Sequence, residues 1–135
     1  MTKTDQMTIQ KEILLVDDDP DDLELYEQLF EAIDPSVTTV SYLDAVKALS
    51  YLRKSIHLPV LTILDFNMPR MNGLDFLRRV RADDKIGRLK VEVVSTGCGP
   101  KESQALLDLG AECHQKAIHV DEIKNLLQRL WRRSN

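Results

Sequence analysis

Apolar residues along this chain keep two alternating rhythms. Short continuous runs occur at Ile13-Leu14-Leu15-Val16, at Val60 to Leu64, and at Val91 with Val93-Val94. Between them, apolar positions recur at helical spacing. Tyr26, Leu29, Phe30 and Ile33 fall at i, i+3, i+4 and i+7, which predicts a helix from Asp19-Pro20 to Asp34-Pro35. Asp can cap such a helix, and Pro is tolerated at its first position. Ala45, Val46, Ala48, Leu49 and Leu52 predict a second helical face. Leu74, Phe76, Leu77 and Val80 predict a third, starting just past Gly73. Ala105, Leu106 and Leu109 predict a fourth, closed by Gly110 as a left-handed cap. Val120, Ile123, Leu126, Leu127, Leu130 and Trp131 predict a fifth, an apolar stripe read as core packing with Trp131 at its exposed tail. Val37 to Tyr42 is β-branched and strand-like, and residues 112–116 read as a weak, polar fifth strand.

The resulting order, βαβαβαβαβα, predicts an α/β fold with one parallel sheet covered by helices on both faces. A length of 135 residues suits one domain. A chain of this size buries about two-thirds of its unfolded surface, enough for a core without staples. Residues 1–10 are polar and read as a flexible tail, residues 11–135 as the folded domain with no output domain beside it. The tail lacks the apolar centre of a signal peptide, and no run is long enough to cross a bilayer.

The net charge of -4 argues against nucleic acid as a partner, since phosphate neutralisation needs a basic stripe. Arg129, Arg132 and Arg133 read as a solvated helix end that complements its dipole. Cys98 and Cys113 have neither metal-ligand spacing nor a disulfide framework around them, so they are expected to be free thiols, Cys113 a small buried one. That fits a cytoplasmic protein. His57, His114 and His119 are expected at the surface and no transition-metal site is expected.

In a parallel sheet of this kind, ligands bind at the carboxyl ends of the strands. Asp17-Asp18 follow the first strand, Asp65 the third, Ser95 the fourth and Lys116 the fifth. Three carboxylates gathered there repel unless a cation intervenes. A hard divalent ion takes oxygen ligands and keeps water or phosphate oxygens in its shell. A lysine ammonium and a serine hydroxyl add groups that bind phosphate oxygens, and a carboxylate can itself serve as nucleophile toward phosphorus. Asp19, Asp21 and Asp22 are read instead as a cap and first-turn acids favoured by the helix dipole.

This ordered set, with Asn67-Met68-Pro69 and Met71-Asn72-Gly73 behind Asp65, resembles the receiver domain of two-component response regulators, similar to the stand-alone chemotaxis type. The resemblance covers about residues 11–131. It implies a flavodoxin-like sheet of order 2-1-3-4-5. It further implies Asp65 as phospho-acceptor, with Mg²⁺ (or Mn²⁺) held by Asp17, Asp18, Asp65 and the backbone carbonyl of Asn67. Ser95 would be the switch hydroxyl and Lys116 the phosphate-pairing ammonium. The expected phosphodonor is a histidine kinase or a phosphotransfer protein, and the output is binding of another protein or a phosphorelay. Self-phosphorylation and autodephosphorylation would be the only chemistry, so the chain is not expected to be an enzyme.

Three departures from the family pattern stand out. Ala117 follows Lys116 where the family has a proline, so a trans peptide is expected. The family's fifth-strand aromatic corresponds to Cys113 or His114, neither of them Tyr or Phe. Thr96 follows Ser95 where a smaller residue is usual, which narrows access to Asp65. Two other readings remain: a haloacid-dehalogenase-like phosphatase using Asp17 and Asp19, and a pseudo-receiver that binds partners without phosphorylation.

Overall fold

The computed structural model describes residues 11–134; the expected tail, residues 1–10, lies outside them. Five strands alternate with five helices: β1 (Glu12–Val16), α1 (Pro20–Ile33), β2 (Thr38–Tyr42), α2 (Ala45–Lys54), β3 (Leu61–Leu64), α3 (Gly73–Arg81), β4 (Val91–Ser95), α4 (Pro100–Asp108), β5 (Glu112–Gln115) and α5 (Val120–Ser134). The strands form one parallel sheet in the order β2-β1-β3-β4-β5. This is the order implied by the resemblance. Val37 and Val60, expected to be in strands, lie just ahead of β2 and β3.

The apolar runs are explained by position in the sheet. β1, β3 and β4 occupy the middle, where both faces are covered, and β3 and β4 are buried throughout. β2 lies at an edge and is half-buried along its length. Side chains alternate across the pleat, so β1 supplies Leu14 and Val16 to one core and Ile13 and Leu15 to the other. The first core is closed by α2, α3 and α4, the second by α1 and α5.

Helix ends follow their local chemistry. Asp19, Asp44 and Asn72 each cap a helix by accepting a backbone N–H, from Asp21, from Val46 and Lys47, and from Asp75 respectively. Gly110 ends the α4 segment with φ 81°, the left-handed conformation expected of it. Two apolar stripes differ from expectation at their margins: Val46 and Val120 face outward, whereas Trp131 is buried against the second core rather than exposed at the tail. The indole closes the end of α5, with the Lys11 ammonium 5.8 Å from its ring centre.

The cysteines correct a sequence expectation. Cys98 and Cys113 are joined by a disulfide, with Cα atoms 6.7 Å apart. Neither is a free thiol. The sequence signal was silent because the partners meet only when the loop after β4 folds beside β5, which local spacing does not reveal.

Candidate functional site

Four strand ends deliver the site. Register places the end of β1 beside those of β2 and β3, with the Asp17 amide donating to the Tyr42 carbonyl (3.1 Å) and the Asp65 amide to that of Val16 (2.9 Å). β3 pairs with β4, which ends at Ser95, and the Lys116 amide donates to the Ser95 carbonyl (2.7 Å). The rim therefore assembles Asp17, Asp18, Asp65, Ser95 and Lys116. Carboxylate oxygens of Asp17, Asp18 and Asp65 lie within 4.8 Å of one another. Asp17 and Asp65 are buried and Asp18 is exposed. Asn67 follows on an exposed part of the β3–α3 loop. Gly73 has a steric reason for its place: a Cβ there would stand 3.0 Å from the Asp65 carbonyl oxygen and 3.0 Å from the Phe66 Cα. α3 can thus start directly beneath the acid loop, tied to it by the Gly73 amide donating to the Phe66 carbonyl (2.8 Å).

The electrostatics are those of a crowded anionic pocket. Burial pushes the Asp17 carboxyl up to about 6; the Asp19 amide, donating at 2.9 Å, works against this, while the charge of Asp65 adds to it. Burial also raises Asp65, and the Lys116 charge opposes it. Lys116 spans the pocket, donating to Asp17 Oδ2 (3.3 Å) and Asp22 Oδ2 (2.8 Å). Burial alone would lower its pKa, but the Asp22 hydrogen bond and the surrounding negative charges hold it above the usual lysine range. Ser95 Oγ is fully buried, close enough to Asp65 to favour its ionised form, yet has no hydrogen-bond partner among the described residues.

Two members of this rim escaped the sequence reading. Asp22, taken there as a first-turn acid, is the nearer partner of Lys116. Its position two residues into α1, after Pro20, aims it back at the strand ends. Tyr26, read as core, places a buried hydroxyl, with no hydrogen-bond partner among the described residues, within the field of Lys116, Asp17 and Asp65. Burial, chiefly, raises its pKa. A polar tip on an otherwise apolar helix stripe was the available signal. Asp19 does the opposite of what a phosphatase acid would do: its carboxylate is spent on the Asp21 amide at the helix start (2.9 Å).

The chemistry of the donor set fits a hard divalent ion. Three carboxylates converge from two strand ends, and an orphaned hydroxyl faces the same space. A second group with ligand-like spacing, Glu92, Glu112 and His114, is different. Glu92 is buried in β4, and His114 meets it at 3.0 Å rather than lying free at the surface as expected. Arg133 reaches Glu92 (3.2 Å) and Glu112 (3.4 Å), and Lys90 lies 3.8 Å from Glu92. Cationic side chains already occupy that space. Arg133 is thus a structural ion-pair partner and not merely a solvated helix end.

Among the described residues there is no cis peptide, so the Lys116-Ala117 bond is trans as expected. Position 113 in β5 faces Val93 and position 114 faces Val94.

A receiver-type sheet with an acid pocket at its carboxyl edge defines the class. The family model of the response regulator receiver domain matches residues 13–128, and the chain belongs to that family. Receiver domains of this family act as phospho-acceptor switches in two-component signalling rather than as ordinary enzymes. The chain is 32% identical over 129 residues to the two-component response regulator ARR12 of Arabidopsis thaliana, covering 95% of this chain but only 21% of that protein. It spans about a fifth of that relative's length. Among solved structures, the phosphorylated cyanobacterial phytochrome response regulator RcpA superposes with a TM-score of 0.83 at 23% identity, over 93% of this chain and 94% of that one. An Mn²⁺-bound form of the response regulator Rcp1 does so with 0.77 at 22% identity, over 88% and 90%. These likenesses show a shared fold. No helix among the described residues is long and apolar enough to cross a membrane.

Proposed function

We propose that Asp65 accepts a phosphoryl group from a histidine kinase or phosphotransfer protein in the cytoplasm. Asp17, Asp18, Asp65 and the Asn67 carbonyl would hold the Mg²⁺ (or Mn²⁺) that the transfer calls for. The observation that carries this reading is the convergence of three carboxylates, an ammonium and a partnerless buried hydroxyl on one sheet edge. A divalent ion there would neutralise charge on the phosphoryl oxygens. The rest falls to the chain. An Asp65 carboxylate oxygen forms the new O–P bond as the donor's N–P bond breaks, its electron pair staying on the donor nitrogen. The Lys116 ammonium, now shared between Asp17 and Asp22, moves to a phosphoryl oxygen. The Ser95 hydroxyl donates to another, gaining the partner it lacks. Movement of Ser95 and Lys116 biases the face around α4 and α5 between two states, which a partner protein reads or a relay exploits.

Treatment with phosphoramidate and Mg²⁺ tests this. Intact-mass spectrometry should show one acid-stable, base-labile phosphoryl group per chain, lost in Asp65→Asn and without the ion. Labelling that persists in Asp65→Asn would refute the assignment.

A further inference from the structure

We propose that Cys98 and Cys113 are a reversible redox modification site whose disulfide pins the loop after Ser95, and with it the start of α4, onto β5. The bond joins two segments next to the proposed phosphoryl site: Cys98 is third after Ser95, and Cys113 is third before Lys116. Four features make this bond a tether rather than a core staple.

Both cysteines pack at the margin of the first core and are only partly buried, not enclosed in it, as exchange with a small disulfide requires. Cys98 is flanked by Gly97 and Gly99, and a Cβ at Gly97 would meet nothing within 4 Å. Packing does not demand a glycine there; what it supplies is backbone freedom. The amino-terminal part of α4 is weakly anchored, since the helix's one buried residue, Leu106, lies in its last turn, where α1 and α2 have four buried residues each and α5 has five. The cap residue of α4, Gly99, makes no side-chain cap hydrogen bond, and what folds back over this end is the flexible Glu102 carboxylate. With the disulfide open, the hydrogen bonds left at this junction among the described residues are the Lys116 backbone amide donating to the Ser95 carbonyl (2.7 Å) and the Gln115 side-chain Nε2 donating to the Thr96 carbonyl (2.6 Å). Cys113 itself is fixed by pairing with β4, so opening the bond frees the Cys98 side and leaves the sheet intact.

The chemistry balances with a small-molecule disulfide such as oxidised glutathione. One protein thiolate attacks it, forming a mixed disulfide and releasing a glutathione thiolate. The second protein thiolate then displaces the other glutathione. Two thiols lose two electrons and two protons overall, the small disulfide is reduced to two thiols, and excess reduced thiol reverses the exchange. In the cytoplasm proposed above, where the disulfide and not a pair of free thiols now has to be accounted for, a disulfide is expected to be transient and redox-sensing. Resting on the phospho-acceptor reading for its consequence, the inference is that only the dithiol form lets the loop and α4 follow Ser95 toward a phosphoryl group.

The full chain is equilibrated in glutathione buffers from reducing to oxidising. Maleimide labelling counts free thiols, and hydrogen exchange is followed over residues 96–109 with and without phosphoramidate and Mg²⁺. The expected result is two labelled thiols in the reduced form and none in the oxidised form. Exchange over 96–109 should be at least fivefold slower when oxidised, with β5 unchanged. Phosphorylation should alter that segment in the reduced protein and in Cys98→Ser under either buffer, but not in the oxidised protein. Thiols that stay labelled under oxidation, or equal exchange over 96–109 in both forms, would overturn the tether. An oxidised protein whose segment still responds fully to phosphorylation would overturn the gating. A redox-dependent exchange with no phosphorylation in either form would count against the acceptor reading and support the tether by itself.

Discussion

Asp17 shows how one residue sets the working conditions of the site. Unfolded, it titrates at its ordinary 3.8; folded, burial carries it to about 6. Between those values the folded chain holds the extra proton, so this group's contribution to the stability of the ion-free protein should fall as pH rises from about 4 to about 6. Asp17→Asn should lose less stability over that range than the parent chain in pH-resolved urea unfolding. Metal binding runs the other way, because only the ionised carboxylate is a ligand. Mg²⁺ affinity measured by calorimetry should weaken as pH drops below about 6, approaching tenfold per unit for each proton displaced. Lys116 opposes the rise in both Asp17 and Asp65. Lys116→Met should therefore shift the onset of that weakening to higher pH while leaving the oxygen ligands in place. An unchanged onset would show that the ammonium has little influence on the carboxylates.

At the scale of elements, the links between helices matter as much as the helices. The Arg81 guanidinium at the end of α3 donates to the carbonyls of Leu109 (2.7 Å), Gly87 (2.9 Å) and Leu89 (2.7 Å). It closes the carboxyl end of α4 and the segment leading into β4 at once. Arg81→Ala strands three partly buried acceptors and should cost about 2 kcal/mol or more in chemical denaturation. Arg81→Lys should recover only part of it, because a single ammonium cannot reproduce the planar fork. Helix starts offer a smaller effect. Asp44 caps α2 through two amides and also pairs with Arg70, which holds φ 69° in the acid loop. Asp44→Ala should lower stability by about 1 kcal/mol. Loss of the ion pair should also show as faster proteolysis of the loop between β3 and α3.

For the whole molecule, the architecture was legible because every level of the sequence agreed: buried runs for the central strands, helical stripes between them, acids and glycines at the turns. The rim was legible where residues sit at strand ends, as Asp17, Asp65 and Ser95 do. It was not legible where a partner arrives from elsewhere in the chain: Asp22 meeting Lys116, Glu92 meeting His114 and Arg133, Cys98 meeting Cys113. Those pairings depend on three-dimensional register, which a one-dimensional pattern does not encode. The two cores make the same point about coupling. Ile86 belongs to the core under α2, α3 and α4, Ile123 to the one under α1 and α5, and the sheet stands between them. Ile86→Val and Ile123→Val should each cost about 0.5–1.5 kcal/mol. With no shared partner, the double variant should match their sum to within about 0.5 kcal/mol. Asp22→Asn and Lys116→Met, which share a hydrogen bond, should instead be clearly non-additive. Coupling between the two isoleucines larger than that between the ion-pair partners would mean that the sheet transmits packing strain between its faces. The acid rim could not then be treated as a site held on a rigid plate.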